Sequence, residues 1–305
     1  MASSVREKRI GERGWLWSAL AAPGVLWLAL LFLTPLYAVL AVAMGGLHPI
    51  FSIAVPVWNP TLWDPGIFAD VLRDLFLGPL RETLLRTFAY VGIASLLCLV
   101  IGYPVAYFVA RHAGRRKVAY LVLILTPFWI PYLMRMLAWV NLLDTEGYVN
   151  DILSLTGVIA EPRNWLGGKH ETVILGLVYG YIPYFILPLF AALDRIDQQV
   201  IEAARDLGAS PVKAFFGVTL PLSKQGILAG MAIIMLPMFG DYYTPGLMSG
   251  SPRTRMIGNQ IELTLQNGPT QSYGAALTTV LMVLVALLMV YYLFSVARAQ
   301  READR

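Results

Sequence analysis

Polar residues in this chain gather into short clusters that separate long apolar stretches. The apolar runs cover approximately residues 15–44, 83–110, 118–143, 172–194, 226–248 and 274–296. Each exceeds the roughly 20 residues a helix needs to cross about 30 Å of hydrocarbon at about 1.5 Å per residue. They are continuous and not alternating, so the pattern predicts helices and excludes barrel strands. The expected fold class is an all-α membrane protein with six transmembrane helices. No internal repeat or low-complexity tract interrupts the chain, which reads as a single domain over 1–305.

The polar connections refine this picture. Pro23 and Pro35 each remove a backbone donor and predict a bend in the first span. That run is too long for a signal peptide's apolar region, so it is read as a retained span. The segment 45–82 is rich in Pro and Trp and is either an ordered lid or a mobile loop. A second segment, 144–171, holds Gly147, Gly157, Gly167 and Gly168 and predicts a short helix near Val149–Leu155. Pro183 and Pro188, with Pro237 and Pro245, mark the fourth and fifth spans as hinged or permanently kinked.

The connection 195–225 is too polar to cross a bilayer yet has helical spacing. Val200, Ala203, Ala204 and Leu207 fall at i, i+3, i+4 and i+7, on one face of a short helix. Gly208 ends it, and Ser210-Pro211 starts another with a capping hydroxyl and Pro in the first turn. Val212, Phe215, Phe216 and Leu220 are expected to face the helix bundle. Residue chemistry alone leaves two uses open for this pair of helices: insertion into a groove on a partner, or rest on the lipid surface.

Composition and charge narrow the class. Of 305 residues, 57% are hydrophobic and only 14% charged, too few charges to cover a soluble domain of this length. The net charge of +4 does not indicate nucleic-acid binding, because the cations cluster between spans. Arg6, Lys8, Arg9 and Arg13 precede the first span, Arg115, Arg116 and Lys117 follow the second, and Arg298 and Arg301 follow the sixth. The positive-inside rule then places both termini in the cytosol. Cys98 is the only cysteine, and His48, His112 and His170 lie in separate segments, so no disulfide or metal-ligand spacing exists. No catalytic constellation is present, and no G-x-x-x-x-G-K-[ST] phosphate loop occurs.

Glu202-Ala203-Ala204, three residues, Gly208, nine residues, then Val218-Thr219-Leu220-Pro221 resembles the coupling loop of ABC-importer permeases, with Val218 where that family usually has Ile. The resemblance implies a type I ABC importer permease fold in the bacterial inner membrane. It also implies ATPase-coupling roles for Glu202, Ala203, Ala204, Asp206, Gly208, Leu220 and Pro221. In that family the loop seats in a cleft of an ATP-binding subunit. The implied partners are two such subunits carrying ATP and Mg, a second permease subunit that is either a copy of this chain or, as the favoured reading, a distinct sister chain, and an extracytoplasmic substrate-binding protein. The chain itself is then not an enzyme and holds no cofactor.

Further segments are similar to the B-type subunit of spermidine/putrescine permeases: Pro127–Arg135 with Ala138-Trp139, Phe239–Gly250, and Met256–Asn259. Ser249-Gly250 and Gln271-Ser272-Tyr273 depart from that pattern. The resemblance implies uptake of a small cationic solute, most closely polyamines. A permease for an iron complex, an opine or another amine is the alternative, and a stand-alone channel or ion-coupled carrier a remote one. Asp241 falls within the fifth run, where a carboxylate is costly unless paired or facing water. Two readings stay open: Asp241 attracts an ammonium group beside the Tyr242 or Tyr243 ring, or it pairs with Arg135. Trp129, Tyr181, Tyr184 and Phe185 are candidate pathway aromatics, or packing residues.

Overall fold

The structure, a computed structural model, describes residues 14–303. The chain divides into two compact units, one running up to Val71 and including Thr264–Val280, the other Leu72–Leu263 with the residues from Leu281.

In the first unit, α1 (Gly14–Ala43) carries Pro23 and Pro35 inside one uninterrupted helix. Its side chains from Leu20 to Leu33 are largely exposed, as suits a lipid-facing surface. The following segment is ordered. β1 (Gly46–Leu47) pairs antiparallel with β2 (Ala54–Val55), with Gly46 opposite Val55. The Ala54 amide donates to Gln271 Oε1 at 3.2 Å. A 3₁₀ turn over Pro60–Leu62 is capped by Asn59, and the Trp63 indole donates to the Val57 carbonyl at 2.7 Å. α2 (Gly66–Phe76) follows.

The second unit contains α3 (Arg81–Arg111), α4 (Lys117–Leu125), α5 (Tyr132–Leu143), α6 (Tyr148–Leu155) and α7 (His170–Asp194). Next come α8 (Gln198–Asp206), α9 (Pro211–Ala214), α10 (Leu220–Leu222), α11 (Lys224–Phe239) and α12 (Tyr243–Met248). α13 (Ile257–Gln266) and α14 (Gln271–Ala303) complete the chain order. Among the described residues, four helical segments are long and apolar enough to cross a membrane unbroken: Ala19–Ala43, Arg81–Arg111, His170–Asp194 and Gly268–Phe294. Two more spans are bent pairs, Gly114–Trp129 with Tyr132–Leu155 at 85° and Pro211–Leu222 with Lys224–Phe239 at 57°. Six spans result when each pair counts as one, with two of them broken where the apolar pattern predicted continuity.

The centre of this unit is a contact of small residues against one ring. Phe185 of α7 is fully buried and wedged between α3 and α11. A Cβ on Gly102 would lie 2.9 Å from its Cδ1, and one on Gly230 would lie 2.7 Å from its Cδ2. Lipid gives helices little hydrophobic drive to associate, so close backbone approach at small residues supplies the contact instead. Phe185 is therefore core and not a pathway aromatic.

The segment after α5 is tied by Asn150, which is 1% exposed. Its Nδ2 donates to the carbonyls of Asp144, Thr145 and Arg163, while its Oδ1 accepts from the Arg163 amide and the Trp165 indole. α6 matches the short helix expected near 149–155, but it turns its polar Asn150 inward and leaves Tyr148, Ile152 and Leu155 exposed.

Candidate functional site

Two broken spans build the site. The break in the third span follows from Pro131, which lacks an N–H and drives Ile130 into extended backbone (φ −77°, ψ 133°). This frees the Ile130 carbonyl, and Arg135 Nε donates to it at 3.2 Å. The fifth span stops at Gly240 and resumes at Tyr243, so Asp241 lies in a break and not inside a continuous helix. Asp241 starts α12 as an N-cap would: its Oδ1 accepts from the Thr244 amide at 3.0 Å. Asn259 holds the break from the other side by donating to the Tyr242 carbonyl at 2.7 Å. Gly258 lets α13 approach, since a Cβ there would sit 2.6 Å from the Gly240 carbonyl oxygen.

Asp241 is 6% exposed. Besides the Thr244 amide, its Oδ2 accepts from Thr244 Oγ1 at 2.6 Å, Tyr132 Oη at 3.0 Å and Tyr181 Oη at 3.2 Å. Tyr132 Oη also contacts Thr244 Oγ1. Four donors thus solvate the carboxylate with no cation among them. Ion pairs join Lys117 to Asp194 and Arg163 to Glu171, but the alternative Asp241–Arg135 pair is not formed. Arg135 instead lies over the Phe128 ring at 4.1 Å and near Tyr132 and Tyr179 at 5.4 and 5.9 Å.

α7 makes room for this arrangement. Cβ atoms on Gly176 and Gly180, one turn apart, would meet Thr244 Cγ2 at 2.6 Å and Tyr132 Cε2 at 2.7 Å. Thr244 and Tyr132 therefore lie directly on the helix backbone. In front of the two tyrosines opens a cavity of about 410 Å³ lined by Phe128–Tyr132, Arg135, Gly180, Tyr181, Tyr184, Ile233 and Pro237. A tyrosine that gives its proton to Asp241 keeps oxygen lone pairs free to accept from a ligand. The wall can therefore present polarised hydroxyls backed by a buried carboxylate.

Of the residues singled out from sequence, Arg135, Trp129, Tyr181 and Tyr184 line this one cavity, and Asp241 stands behind it. The Tyr242 and Tyr243 rings pack against each other, tilted by 31° with centroids 4.1 Å apart, and are not in its wall. Tyr132 and Thr244 were missed. Their roles depend on two separate chain breaks meeting on a glycine strip of α7, which residue spacing does not announce.

The loop after α7 has its own geometry. Asp197 caps α8 by accepting from the Gln199 amide at 3.0 Å. Gly208 turns the chain with φ +88°, and Ser210 accepts from the Lys213 amide at 3.3 Å to start α9. Glu202, Ala203, Asp206, Gly208 and Pro221 are exposed, Ala204 and Leu220 half-buried, and Leu207 is 90% exposed. The expected inward face of the second helix is corrected: Val212 and Phe216 are exposed at 65% and 61%, whereas Ala214 and Thr219 are buried. Phe215 packs edge-on against Tyr103 and Tyr107, and a buried Tyr103–Ser223 hydrogen bond of 2.9 Å anchors the loop's return. A π-turn over Phe215–Thr219 shifts the register of the residues that follow it.

Broken spans beside an aromatic-lined cavity, with an exposed helical pair on a connecting loop, are the parts that a solute-translocating membrane protein requires. The sequence pattern of the family described as "Binding-protein-dependent transport system inner membrane component" matches residues 102–301. The spermidine/putrescine transport system permease protein PotB of Escherichia coli (strain K12) is 36% identical over 211 residues, covering 69% of this chain and 76% of the relative. That of Haemophilus influenzae is 37% identical over 202 residues, covering 66% and 70%. A crystal structure of a bacterial ABC transporter that imports the acidic polysaccharide alginate shares the fold, with TM-score 0.62 and 19% identity over 96% of this chain and 99% of that one. The same transporter with its alginate-bound periplasmic protein gives TM-score 0.67 and 16% identity, covering 92% and 93%. The chain belongs to the binding-protein-dependent inner-membrane component family and is a multi-pass permease subunit of an ABC importer.

Proposed function

We propose that this permease imports a small amine of the spermidine/putrescine class. Its relatives of that description align over most of the chain. The single observation that carries the reading is the Asp241 carboxylate, buried and ringed by hydroxyls of Tyr132, Tyr181 and Thr244, two of which open onto the cavity. An ammonium donates to Tyr132 and Tyr181 while Asp241 supplies the negative potential behind them, so the carboxylate stays solvated when the cavity is empty. Trp129 and Tyr184 offer ring faces at the cavity's rim.

Transport requires partners. Both termini lie in the cytosol, and α8 with its exposed Leu207 seats in a cleft of an ATP-binding subunit. Two such subunits, loaded with ATP and Mg, serve this chain and a sister permease, and a binding protein delivers the amine from outside. ATP-driven closure then moves the broken spans, and the chain catalyses no reaction itself. The test is ATP-dependent uptake of labelled putrescine by vesicles holding the intact complex. Asp241→Asn should lower uptake at least tenfold while complex assembly and basal ATP hydrolysis persist. Undiminished uptake would remove Asp241 from the pathway, and failure to assemble would make its role structural.

A further inference from the structure

The hairpin that follows α1 has a composition and a placement that solute transport leaves unused. Residues 14–63 contain no Asp, Glu, Lys or Arg, so the charge-free stretch continues past Ala43 through β1, β2 and the Pro60–Leu62 turn. A hairpin in water normally shows one polar face. Here the large exposed side chains are apolar on the strands and at the tip: Leu47, Ile53 and Val55, with Ile50 and Phe51 at 79% and 69% exposure. Two spans set the hairpin's position. Ser272 Oγ donates to the Gly45 carbonyl at 3.3 Å, Gln271 Oε1 accepts from the Ala54 amide, and a Cβ on Gly268 would lie 2.7 Å from the Ser52 carbonyl oxygen. The hairpin thus sits where one span, Ala19–Ala43, ends and another, Gly268–Phe294, begins. Tyr37, near the end of α1, packs against the Trp58 and Trp63 rings with centroids 6.1 and 5.8 Å away, and its hydroxyl donates to the Trp58 carbonyl. Such aromatics concentrate at the level of lipid headgroups.

We propose that this hairpin is a membrane-surface anchor whose tip residues Leu47, Ile50, Phe51 and Ile53 insert among the lipids of the leaflet in which α1 ends. Ile50 is four residues beyond Gly46, within about 14 Å at full extension, so the tip stays in reach of the headgroup layer. The amides of the tip need no water there. His48 Nδ1 accepts from the Ile50 and Phe51 amides at 3.2 and 3.3 Å, and the His48 carbonyl accepts from the Ser52 amide at 2.9 Å. The His48 amide donates to the Ile53 carbonyl at 2.8 Å, and Pro49 has no N–H to satisfy. Lipid is favoured over a soluble partner by continuity: α1 is exposed and apolar from Leu20 to Leu33, and no charge separates that surface from the tip. A surface that docks a soluble protein carries a polar rim, which this hairpin lacks. The anchor holds the segment between α1 and α2 at the bilayer surface, whichever solute passes.

The test uses the intact complex in vesicles of phosphatidylethanolamine and phosphatidylglycerol, with a nitrobenzoxadiazole fluorophore on Phe51→Cys. The native thiol, Cys98, is fully buried in α3, and wild-type complex treated alike supplies the blank. Leu28→Cys, on the exposed surface of α1, marks the response of a lipid-facing site. Doxyl-labelled lipid should remove about as large a fraction of the Phe51→Cys emission as of the Leu28→Cys emission. Iodide on both sides of the membrane should remove little from either. Emission quenched by iodide and not by doxyl lipid would place the tip in water and overturn the proposal. So would a tip that iodide reaches until binding protein is added, which makes it a docking surface for that protein, or one that neither quencher reaches, which packs it against another subunit. Ile50→Cys repeats the reading one residue away, so the result stands even where the label at 51 disturbs the turn.

Discussion

Tyr132 Oη donates to Asp241 Oδ2 at 3.0 Å, joining the break in the third span to the break in the fifth. The same ring lies 5.4 Å from the Arg135 guanidinium. One tyrosine therefore touches both the buried anion and the buried cation.

Tyr132→Phe tests that placement. It removes one charge-assisted hydrogen bond, about 1.5–3 kcal/mol, while leaving the ring's packing. Uptake should fall roughly tenfold or more with the complex still assembled. Transport by the variant at the wild-type rate would show that the hydroxyl only decorates the break.

Gly180→Ala addresses the same site from α7. The added Cβ would meet Tyr132 Cε2 at 2.7 Å and Oη at 2.9 Å. Overpacking of this kind costs about 1–3 kcal/mol. Tyr132 must swing into the cavity, so amine binding should weaken together with thermal stability. Gly24→Ala, where a Cβ meets nothing within 4 Å, is the matched control. Equal behaviour of the two variants in a melting and binding assay would refute the close-approach argument.

Much of this was legible in the chain because lipid imposes simple rules. Apolar length gave the spans, and the Gly208 and Ser210-Pro211 signals gave both helices of the connecting loop. The breaks were harder. Pro131 and the Gly240–Tyr242 segment sit in runs as apolar as any span, and their irregular backbone is tolerated because the side chains of Arg135, Asn259 and Asp241 satisfy it. Those partners come from distant sequence or from a side chain's precise direction, and hydropathy carries neither. The glycine strip of α7 was visible as composition, but what lies on it depends on tertiary packing.

Asn150→Ala concerns the segment after α5. It abolishes five hydrogen bonds from one side chain buried to 1% exposure and leaves the carbonyls of Asp144, Thr145 and Arg163 without that donor. Losing a buried polar hub of this kind should cost several kcal/mol locally. Residues 144–165 should become protease-sensitive in right-side-out or inverted vesicles, whichever exposes them. Unchanged protection would mean that packing around Trp165 alone holds the segment. The vesicle orientation that permits cleavage also reports on which side of the membrane this segment lies.

The exposed end of α8 offers the most separable test. Leu207 is 90% exposed, so Leu207→Asp costs the fold little, within about 0.5 kcal/mol for a surface change. Gly208→Val differs: at φ +88° a β-branched residue is strained by about 1–2 kcal/mol, which distorts the turn between α8 and α9. If α8 seats in an ATP-binding subunit, both variants should insert and pair with the sister permease yet lose the ATPase on co-purification. Leu207→Asp should do so with no drop in melting temperature, because a carboxylate buried in the partner's apolar cleft carries its penalty only in the complex. Retention of the ATPase with full uptake in Leu207→Asp would return the helix to the other reading, a connector resting on lipid. Loss of both ATPase and thermal stability in Gly208→Val alone would mean that the turn, and not the exposed leucine, carries the contact.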